Sequence, residues 1–261
     1  MTNPRIMAVV QARMSSGRLP GKVLAPIAGR PAILFMYERL LRARRLDGIC
    51  LATSVDSSDD PLAEAARGAG MPVFRGSLDD VLDRFVGAAR LHGSEIVVRL
   101  TGDCPLIDPD VVDRVVALLD EGGFDYVSNA DPPTFPDGLD VEAVRTEALE
   151  SAGAEATLGS EREHVTLFIR NRPERFRCAN LRSPIDLSAL RWTVDYQDDL
   201  ELVRQLAGGV KGDPVLADRF DFLRVYDELG LGKAAHPRNE GLAASLAQDR
   251  AQDRPATIST D

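Results

Sequence analysis

The sequence predicts an α/β protein in which helices cover a mainly parallel sheet. Short apolar runs alternate with helical patterns through the first half of the chain, which is typical of parallel strands joined by crossover helices. The chain has 261 residues, enough for one large domain with a sizeable core. Its composition, 44% hydrophobic and 28% charged, fits an ordinary globular protein and not a fibrous or disordered one.

The first half of the chain contains regular strand and helix signals in alternation. The predicted strands are the apolar runs at 5–11, 48–53, 72–75 and 95–100. The predicted helices lie at 31–45, 59–70, 79–92 and 109–121. Asp59-Asp60-Pro61 and Asp108-Pro109-Asp110 are typical helix starts, because Pro is tolerated in the first turn.

The pattern changes after Gly122. We expect strands at 125–129, 139–144 and 191–194, a Pro-rich loop at 131–138, and helices at 160–171, 197–207 and 216–230. Residues 1–242 are predicted to form one domain, with a smaller β-rich subregion over roughly 125–190. Residues 243–261 are polar and poor in bulky side chains, so a disordered tail is expected there.

Composition excludes several classes of function. The net charge of −10 argues against a nucleic-acid-binding surface. No apolar run reaches the roughly 18 residues of a membrane span, and no signal peptide opens the sequence, so we expect a cytoplasmic protein without a membrane partner. Cys50, Cys104 and Cys178 are far apart and are expected to be reduced thiols.

The segment 11–22 is the first candidate site, because it follows the first buried strand and combines small residues with cations. The small residues are Ser15, Ser16 and Gly17, and the cations are Arg13, Arg18 and Lys22. Small residues let backbone N–H groups approach an anion, and the cations neutralise its charge. This loop therefore predicts a nucleoside triphosphate site.

Two common phosphate-binding motifs are excluded for this loop. Val23 follows Lys22, so the hydroxyl that holds Mg²⁺ in a Walker A motif is missing. No G-x-G-x-x-G sequence follows the strand, which excludes the dinucleotide fingerprint. A basic surface loop that binds nothing remains the alternative interpretation.

Two carboxylates stand at the ends of predicted strands. Asp103 follows the strand at 95–100, and Asp195 follows the strand at 191–194. Each could simply cap a helix, although Asp108 is better placed to cap the helix at 109–121. Beside a triphosphate loop, the pair predicts a Mg²⁺ site, since Mg²⁺ takes one or two carboxylates together with phosphate oxygens.

Five segments together resemble one enzyme family; they are 11–22, 99–106, 135–142, 160–166 and 190–195. The sequence is similar to cytidylyltransferases of the CMP-sugar synthetase superfamily over about residues 6–242. It most resembles the branch of spore-coat polysaccharide biosynthesis protein F, and relatives include the 3-deoxy-manno-octulosonate and acylneuraminate cytidylyltransferases. Relatives often have Gly-Ser-Thr-Arg where this chain has Ser15-Ser16-Gly17-Arg18, which keeps the small-residue character.

The resemblance implies a fold and a reaction. The fold is a three-layer α/β/α sandwich of the nucleotide-diphospho-sugar transferase type, with a Rossmann-like sheet and a small acceptor and dimerisation subregion. The reaction transfers CMP from CTP to a sugar acid or related acceptor, releases pyrophosphate and serves surface polysaccharide or glycoconjugate synthesis. The resemblance also implies a homodimer and Mg²⁺ held by Asp103 and Asp195.

The resemblance also assigns roles to individual residues. The catalytic candidates are Arg13, Lys22, Asp103 and Asp195. The nucleotide-binding candidates are Ala12, Arg13, Ser15, Ser16, Gly17, Arg18, Lys22, Ser77, Arg84, Thr101 and Asp103. For Ser77 and Arg84, a helix start with solvated charges is an equally good interpretation.

The acceptor-binding candidates are Asp140, Glu142, Glu163 and His164. Asp140 and Glu142 alternate on a predicted strand, so they are expected to face the same side, where they could bind acceptor hydroxyls or form salt bridges. His164 could contact the acceptor, contact a partner subunit or be structural. Arg162 is the candidate cation for an acceptor carboxylate.

Two other functions remain open at this stage. A sugar-1-phosphate nucleotidyltransferase using another nucleoside triphosphate would have a similar fold, but its loop is usually richer in glycine than 12–15. A non-catalytic nucleotide-binding relative is the other alternative. The presence of both Asp103 and Asp195 argues against a loss of catalysis.

Overall fold

A mixed sheet lies at the centre of the computed structural model, which describes residues 5–231, 236, 238 and 240–252. Its strands are β1 (Ile6–Gln11), β4 (Gly48–Ser54), β5 (Val73–Gly76), β6 (Ile96–Thr101), β7 (Tyr126–Ser128), β8 (Glu142–Arg145) and β9 (Cys178–Asn180). A separate small hairpin consists of β2 (Pro26–Ile27) and β3 (Arg30–Pro31). The order across the main sheet is β5-β4-β1-β6-β8-β7-β9.

Helices connect and cover these strands. They are α1 (Ala32–Leu40), α2 (Asp60–Gly68), α3 (Val81–His92), α4 (Pro109–Gly122), α5 (Thr146–Glu155), α6 (Gly159–Glu163), α7 (Leu167–Arg170), α8 (Gln197–Gly209), α9 (Arg219–Glu228) and α10 (Glu240–Gln252). Short 3-10 turns at Lys22–Leu24 and Ser57–Asp59 precede α1 and α2. As expected, the Asp108 carboxylate caps α4 by accepting from the backbone nitrogen of Asp110 at 2.8 Å.

The three layers follow from the alternation of side chains along the central strand. On β1, Ile6, Ala8 and Val10 belong to a core that also contains residues of α1, α4, α8 and α9. Met7 and Val9 point the other way, into a second core with residues of α3, α5 and α7. Successive strand residues face opposite sides, so burial of both sets requires helices on both faces. The predicted α/β/α sandwich is confirmed.

The connections reverse direction at β1, and this positions the candidate site. β1 pairs in parallel with β4 on one side and with β6 on the other. In open parallel sheets, ligands bind at the carboxyl ends of the strands beside such a reversal. A Cβ atom at Gly102 would lie 2.7 Å from the Ala12 Cβ, so the two strand ends approach closely only because position 102 is glycine.

Differences from the sequence-based predictions concentrate in the second half of the chain. The strand predicted at 139–144 begins only at Glu142, and the helix predicted at 160–171 is divided into α6 and α7. Val165 interrupts that helix with a positive φ of 49°, which an α-helix does not contain. Helix α5 and strand β9 were not predicted from the sequence. The three strands of the subregion over 125–190, β7, β8 and β9, join the main sheet.

The segment predicted as a strand at 191–194 does not join the sheet. The Trp192 nitrogen donates to the Asp137 carbonyl at 2.6 Å, and the Val194 nitrogen donates to the Asp103 carbonyl at 2.8 Å. The Asp137 nitrogen also donates to the Leu190 carbonyl at 2.9 Å, so Asp137 and Arg191 form one isolated parallel bridge, but this bridge does not extend into a ladder. A Cβ atom at Gly138, where φ is +106°, would lie 2.6 Å from the Thr193 nitrogen, so this loop packs directly on the extended segment.

The predicted disordered tail is wrong for residues 243–252, which belong to α10. The backbone nitrogen of Ser160, in α6, donates to the Asp249 carboxylate in α10 at 3.3 Å. Residues 253–261 lie outside the described residues. In the part of the chain that the structure describes, no helix is both long enough and apolar enough to span a bilayer.

Candidate active site

Two adjoining cavities open at the carboxyl ends of β1 and β6. The large cavity has a volume of about 550 Å³ and the small cavity about 260 Å³. Both linings include Gln11, Arg18, Thr101, Asp103, Asp195, Glu240 and Gly241. The two spaces therefore form one cleft with these shared residues at its junction.

The cationic loop 13–22 borders the large cavity and is fixed by a buried carboxylate. Asp59 accepts from the Met14 nitrogen at 2.7 Å and from the hydroxyls of Thr53 and Ser54 at 2.9 and 2.5 Å. Burial disfavours the charge of Asp59, but these hydrogen bonds outweigh it and lower its pKa. From the sequence, Asp59 was predicted only to begin a helix, and its hydrogen bond to the cationic loop was not predicted.

Lys22 brings the two predicted metal carboxylates together. Its Nζ lies 3.1 Å from Asp103 Oδ2 and 2.8 Å from Asp195 Oδ1, although the two aspartates are far apart in sequence. Burial lowers the pKa of Lys22, but the two negative charges outweigh that effect and the net pKa is raised. Burial likewise raises the pKa of Asp103, and the charge of Lys22 reverses this to a net lowering. Both groups are therefore charged at neutral pH.

Asp195 is also held by two arginines. Arg18 Nη2 lies 3.2 Å from Asp195 Oδ1, and Arg191 Nη2 lies 2.9 Å from Asp195 Oδ2. The buried Arg191 further contacts Asp137 at 2.8 Å and Asp199 at 3.0 Å. Because Asp199 also accepts from the backbone nitrogen of Asp195 at 2.9 Å, Arg191 fixes Asp195 at the start of α8.

The structure brings most predicted nucleotide-binding residues to the large cavity. Those in its lining are Ala12, Arg13, Ser16, Gly17, Arg18, Lys22, Arg84, Thr101 and Asp103. Ser15 and Ser77 are not among the described residues that line either cavity. The Ser77 carbonyl instead accepts from Arg84 Nη1 at 2.5 Å. Burial and the nearby charge of Arg13 lower the pKa of Arg84. Arg13 and Arg84 both line the large cavity, and an anion bound there would offset their mutual repulsion.

Three of the predicted acceptor residues, Asp140, Glu142 and His164, line the small cavity. Glu163 lies in the lining of the large cavity instead, where its carboxylate accepts from the Ser245 hydroxyl at 2.5 Å. The strand argument for Asp140 was incomplete, because Asp140 precedes β8. It nevertheless lines the same cavity as Glu142.

Asp140 and Glu142, two carboxylates of the small cavity, have opposite pKa shifts. Burial raises the pKa of Asp140 to about 6, and its ion pair with Arg238 only partly offsets this. Glu142 is buried too, but Arg99, Arg170 and hydrogen bonds from Thr166 and Tyr126 lower its pKa to about 2. The Tyr126 and Thr166 hydroxyls each donate to Glu142 at 2.6 Å. Asp140 is therefore the carboxylate that can exchange a proton near neutral pH.

His164 is not a cation at this site. Burial and the charge of Arg99 lower its pKa, and its Nε2 lies 3.1 Å from the Ser245 hydroxyl in α10. The neutral ring thus connects α10 to the rim of the small cavity. It carries no charge that could bind an acceptor carboxylate at neutral pH.

Arg162 does not line the small cavity, contrary to its predicted role as a cation for the acceptor. Its Nε lies 2.5 Å from Asp80, and its Nη1 donates to two backbone carbonyls. These contacts tie α6 to the start of α3. The arginines in the lining are Arg18, Arg99, Arg170 and Arg191. Arg99 could have been found from the sequence, because a charged residue within the apolar strand at 95–100 is unusual.

The donor set at the junction fits Mg²⁺. Asp103 and Asp195 are hard oxygen donors that Lys22 holds within reach of one atom. Among the described residues no group of three or more metal-ligating side chains occurs, which excludes a dedicated protein cage there. Two carboxylates suit Mg²⁺, which usually completes its coordination with phosphate oxygens and water.

Comparison with known proteins decides the family. The family model described as Cytidylyltransferase matches residues 7–206, most of the chain. This chain belongs to the cytidylyltransferase family. The predicted membership is confirmed, and the cytidylyltransferase is an enzyme of the nucleotidyltransferase class.

Individual relatives agree with this family. Spore coat polysaccharide biosynthesis protein SpsF of Bacillus subtilis is 35% identical over 210 residues, covering 77% of this chain and 85% of that protein. A cytidylyltransferase structure from Leptospira borgpetersenii superposes with a TM-score of 0.82 at 31% identity, covering 87% of this chain and 95% of that chain. The 3-deoxy-manno-octulosonate cytidylyltransferase of Geobacter sulfurreducens is 42% identical over 118 residues, 44% of this cytidylyltransferase and 46% of that protein.

Proposed function

We propose that this cytidylyltransferase moves CMP from CTP to a hydroxyl group of a sugar acid or related acceptor and releases pyrophosphate. One observation carries the proposal: Asp103 and Asp195 line both cavities. They therefore lie where a ligand in the large cavity would meet a ligand in the small cavity. A transfer between two substrates needs such a junction, because the reacting atoms must be held about 3 Å apart.

The large cavity is the proposed CTP site. Its volume of about 550 Å³ lies in the range of small-molecule sites, and Arg13, Arg18, Lys22 and Arg84 line it. These cations favour a polyanionic ligand over a neutral one. The family membership favours a cytidine nucleotide among the triphosphates.

The small cavity is the proposed acceptor site. The acceptor hydroxyl oxygen forms a bond to the α-phosphorus, and the bond from that phosphorus to the bridging oxygen breaks. Pyrophosphate leaves with the bonding electron pair, and Asp140 accepts the hydroxyl proton. Its pKa of about 6 suits a general base near neutral pH.

The other residues of the site position the substrates and neutralise the charge of the phosphates. Asp103 and Asp195 would hold Mg²⁺, which when bound supplies positive charge to the phosphate oxygens. Lys22 and Arg13 offset the negative charge of the triphosphate, and Arg191 keeps Asp195 in place. The acceptor pocket and the triphosphate loop orient the two substrates.

The proposal is tested by measuring pyrophosphate release with each of the four nucleoside triphosphates and a panel of sugar acids and sugar 1-phosphates. We expect release that requires both CTP and a sugar acid. The Asp198→Asn variant is the matched control, because Asp198 is exposed in the first turn of α8 and should leave release unchanged.

Other outcomes identify the alternatives. Equal rates with all four triphosphates would contradict the cytidine assignment. Release with sugar 1-phosphates alone would identify a sugar-1-phosphate nucleotidyltransferase. Tight CTP binding without release for any acceptor would identify a non-catalytic relative.

A further inference from the structure

The arginines of the small cavity differ in how they are paired. Arg99 forms an ion pair with Glu142, which has 9% of its side chain exposed. Arg191 lies 2.8 to 3.0 Å from three carboxylates, and Arg18 lies 2.8 Å from Glu240. Each of these three guanidinium groups is already committed to protein carboxylates. Arg170 is not.

The side chain of Arg170 donates no hydrogen bond to the described residues. Its Nη1 lies 3.8 Å from Asp131, beyond hydrogen-bond distance, and the Asp131 side chain is 69% exposed. An exposed pair at that distance contributes little stability. The Nε of Arg170 is buried without a hydrogen bond, although the whole side chain is only 20% exposed.

Nearby groups do not satisfy this guanidinium. Glu142 attracts Arg170, but its carboxylate oxygens are taken by Arg99, Tyr126 and Thr166. His164 is a neutral neighbour and contributes no negative charge. A buried, charged donor without a partner is costly, so an arginine in this state suits a ligand that supplies the missing acceptor.

The chemistry of the missing acceptor follows from the surroundings. A guanidinium presents two parallel N–H donors that match a carboxylate. The lining also contains Asp137, Asp140 and Glu142, whose charges disfavour a second negative charge on the ligand. A single carboxylate therefore fits this position better than a phosphate dianion.

We propose that Arg170 binds the carboxylate of the acceptor and makes this enzyme select acidic over neutral sugars. The assignment rests on the proposed function, since it concerns the acceptor of that reaction. Arg170 replaces Arg162, the cation that the sequence suggested for this role. Arg162 is unsuited because Asp80 and two carbonyls already occupy its donors.

The test compares Arg170→Met and Arg170→Lys with the wild-type enzyme on two acceptors, 3-deoxy-manno-octulosonate and its primary amide. The amide keeps the size of the acid but lacks its charge. The Arg175→Met variant is the control, because Arg175 forms its ion pair with the exposed Glu155 and is not among the described residues that line either cavity. CTP binding to each variant is measured separately to show that the fold and the nucleotide site are intact.

We expect Arg170→Met to raise the KM for the acid about 10- to 100-fold and to leave the KM for the amide, the CTP affinity and the control unchanged. Arg170→Lys should recover part of the loss, because it keeps the charge without the paired donors. An unchanged KM for the acid in Arg170→Met, or an equal loss for acid and amide, would overturn the assignment.

The wild-type enzyme separates this inference from the proposed function. Transfer of CMP to neutral sugars alone, or to sugar phosphates in preference to sugar acids, would overturn the role of Arg170 and leave cytidylyl transfer standing. Absence of pyrophosphate release with CTP and every acceptor would overturn the proposed function, and the role of Arg170 with it.

Discussion

The backbone nitrogen of Met14 donates to the buried carboxylate of Asp59 at 2.7 Å. This bond joins the start of the cationic loop to the turn before α2. The same carboxylate accepts from Thr53 and Ser54 at the carboxyl end of β4, so it fixes the loop to the sheet. The position of the proposed triphosphate-binding groups thus depends on Asp59, which is not among the described residues that line either cavity.

The Asp59→Asn variant tests this dependence. An amide has one acceptor oxygen and a donor that faces other donors, so we expect a loss of stability of about 1–3 kcal/mol. The loosened loop should raise the Kd for CTP about tenfold. Urea unfolding and calorimetric titration with CTP measure the two effects. Glu64→Gln, an exposed change in the adjoining helix α2, should alter neither, and an unchanged CTP affinity in Asp59→Asn would contradict the role of Asp59.

The Lys22→Ala variant tests where the triphosphate lies. Lys22 is expected to act on the phosphates, so its removal should weaken binding of CTP more than binding of CMP. Calorimetric titrations with both nucleotides give the comparison, and Lys211→Ala is the control because Lys211 is exposed. Equal losses for CTP and CMP would place Lys22 away from the distal phosphates.

The pH dependence of turnover tests the base. Asp140 can take the proton of the sugar hydroxyl only when its carboxylate is ionised. Because the pKa of Asp140 is about 6, kcat/KM should fall as the pH drops below about 6. Asp137, Glu142 and Arg238 are the charged neighbours, and Glu142 is ionised throughout this range. The Asp140→Asn variant should lose turnover but keep CTP affinity. Wild-type activity that is flat between pH 5 and 8, the range flanking this pKa, would exclude Asp140 as the base.

Glu142 links stability to pH. The pKa of Glu142 is about 2 in the folded protein, whereas the ordinary pKa of a glutamate is 4.5. The ionised form of Glu142 therefore stabilises the fold above pH 4.5. That contribution is lost as the pH falls from 4.5 toward 2. We expect Glu142→Gln to cost about 3 kcal/mol at pH 7 and about half of that near pH 3. Urea unfolding of both proteins at the two pH values measures the difference, and a cost that does not change with pH would contradict this account.

The parts of the fold that sequence analysis predicted well are those with local signals. Strands β1, β4 and β6 are mostly buried on both faces, so each is a largely apolar run, and the helices between the early strands have clear starts. The segment at 191–194 also alternates polar and apolar residues, although all four are buried. It joins no sheet because it forms only one isolated bridge, with Asp137, and one further backbone hydrogen bond, to Asp103, among the described residues.

Some residues of the candidate site were predicted from the sequence and others were not, again because only some of them have a local signal. Asp103, Asp195 and Lys22 stand at strand ends or in a distinctive loop, and the fold brings them into contact. Arg170 lies in a short helix without any such signal, and its importance depends on which partners the other arginines have. The expected homodimer is not a property of a single chain, and it stays a prediction.

Asp103 and Asp195, the two carboxylates at the junction of the cavities, test the central claim most directly. We expect Asp103→Asn and Asp195→Asn each to lower kcat for CTP-dependent pyrophosphate release about 10²- to 10³-fold, because each removes one negative charge from the junction of the two cavities. Melting temperatures close to the wild-type value and unchanged turnover of Asp198→Asn would show that the effect is specific. Near-normal turnover of either folded variant at limiting Mg²⁺ would contradict the claim that both carboxylates act at the reacting phosphate.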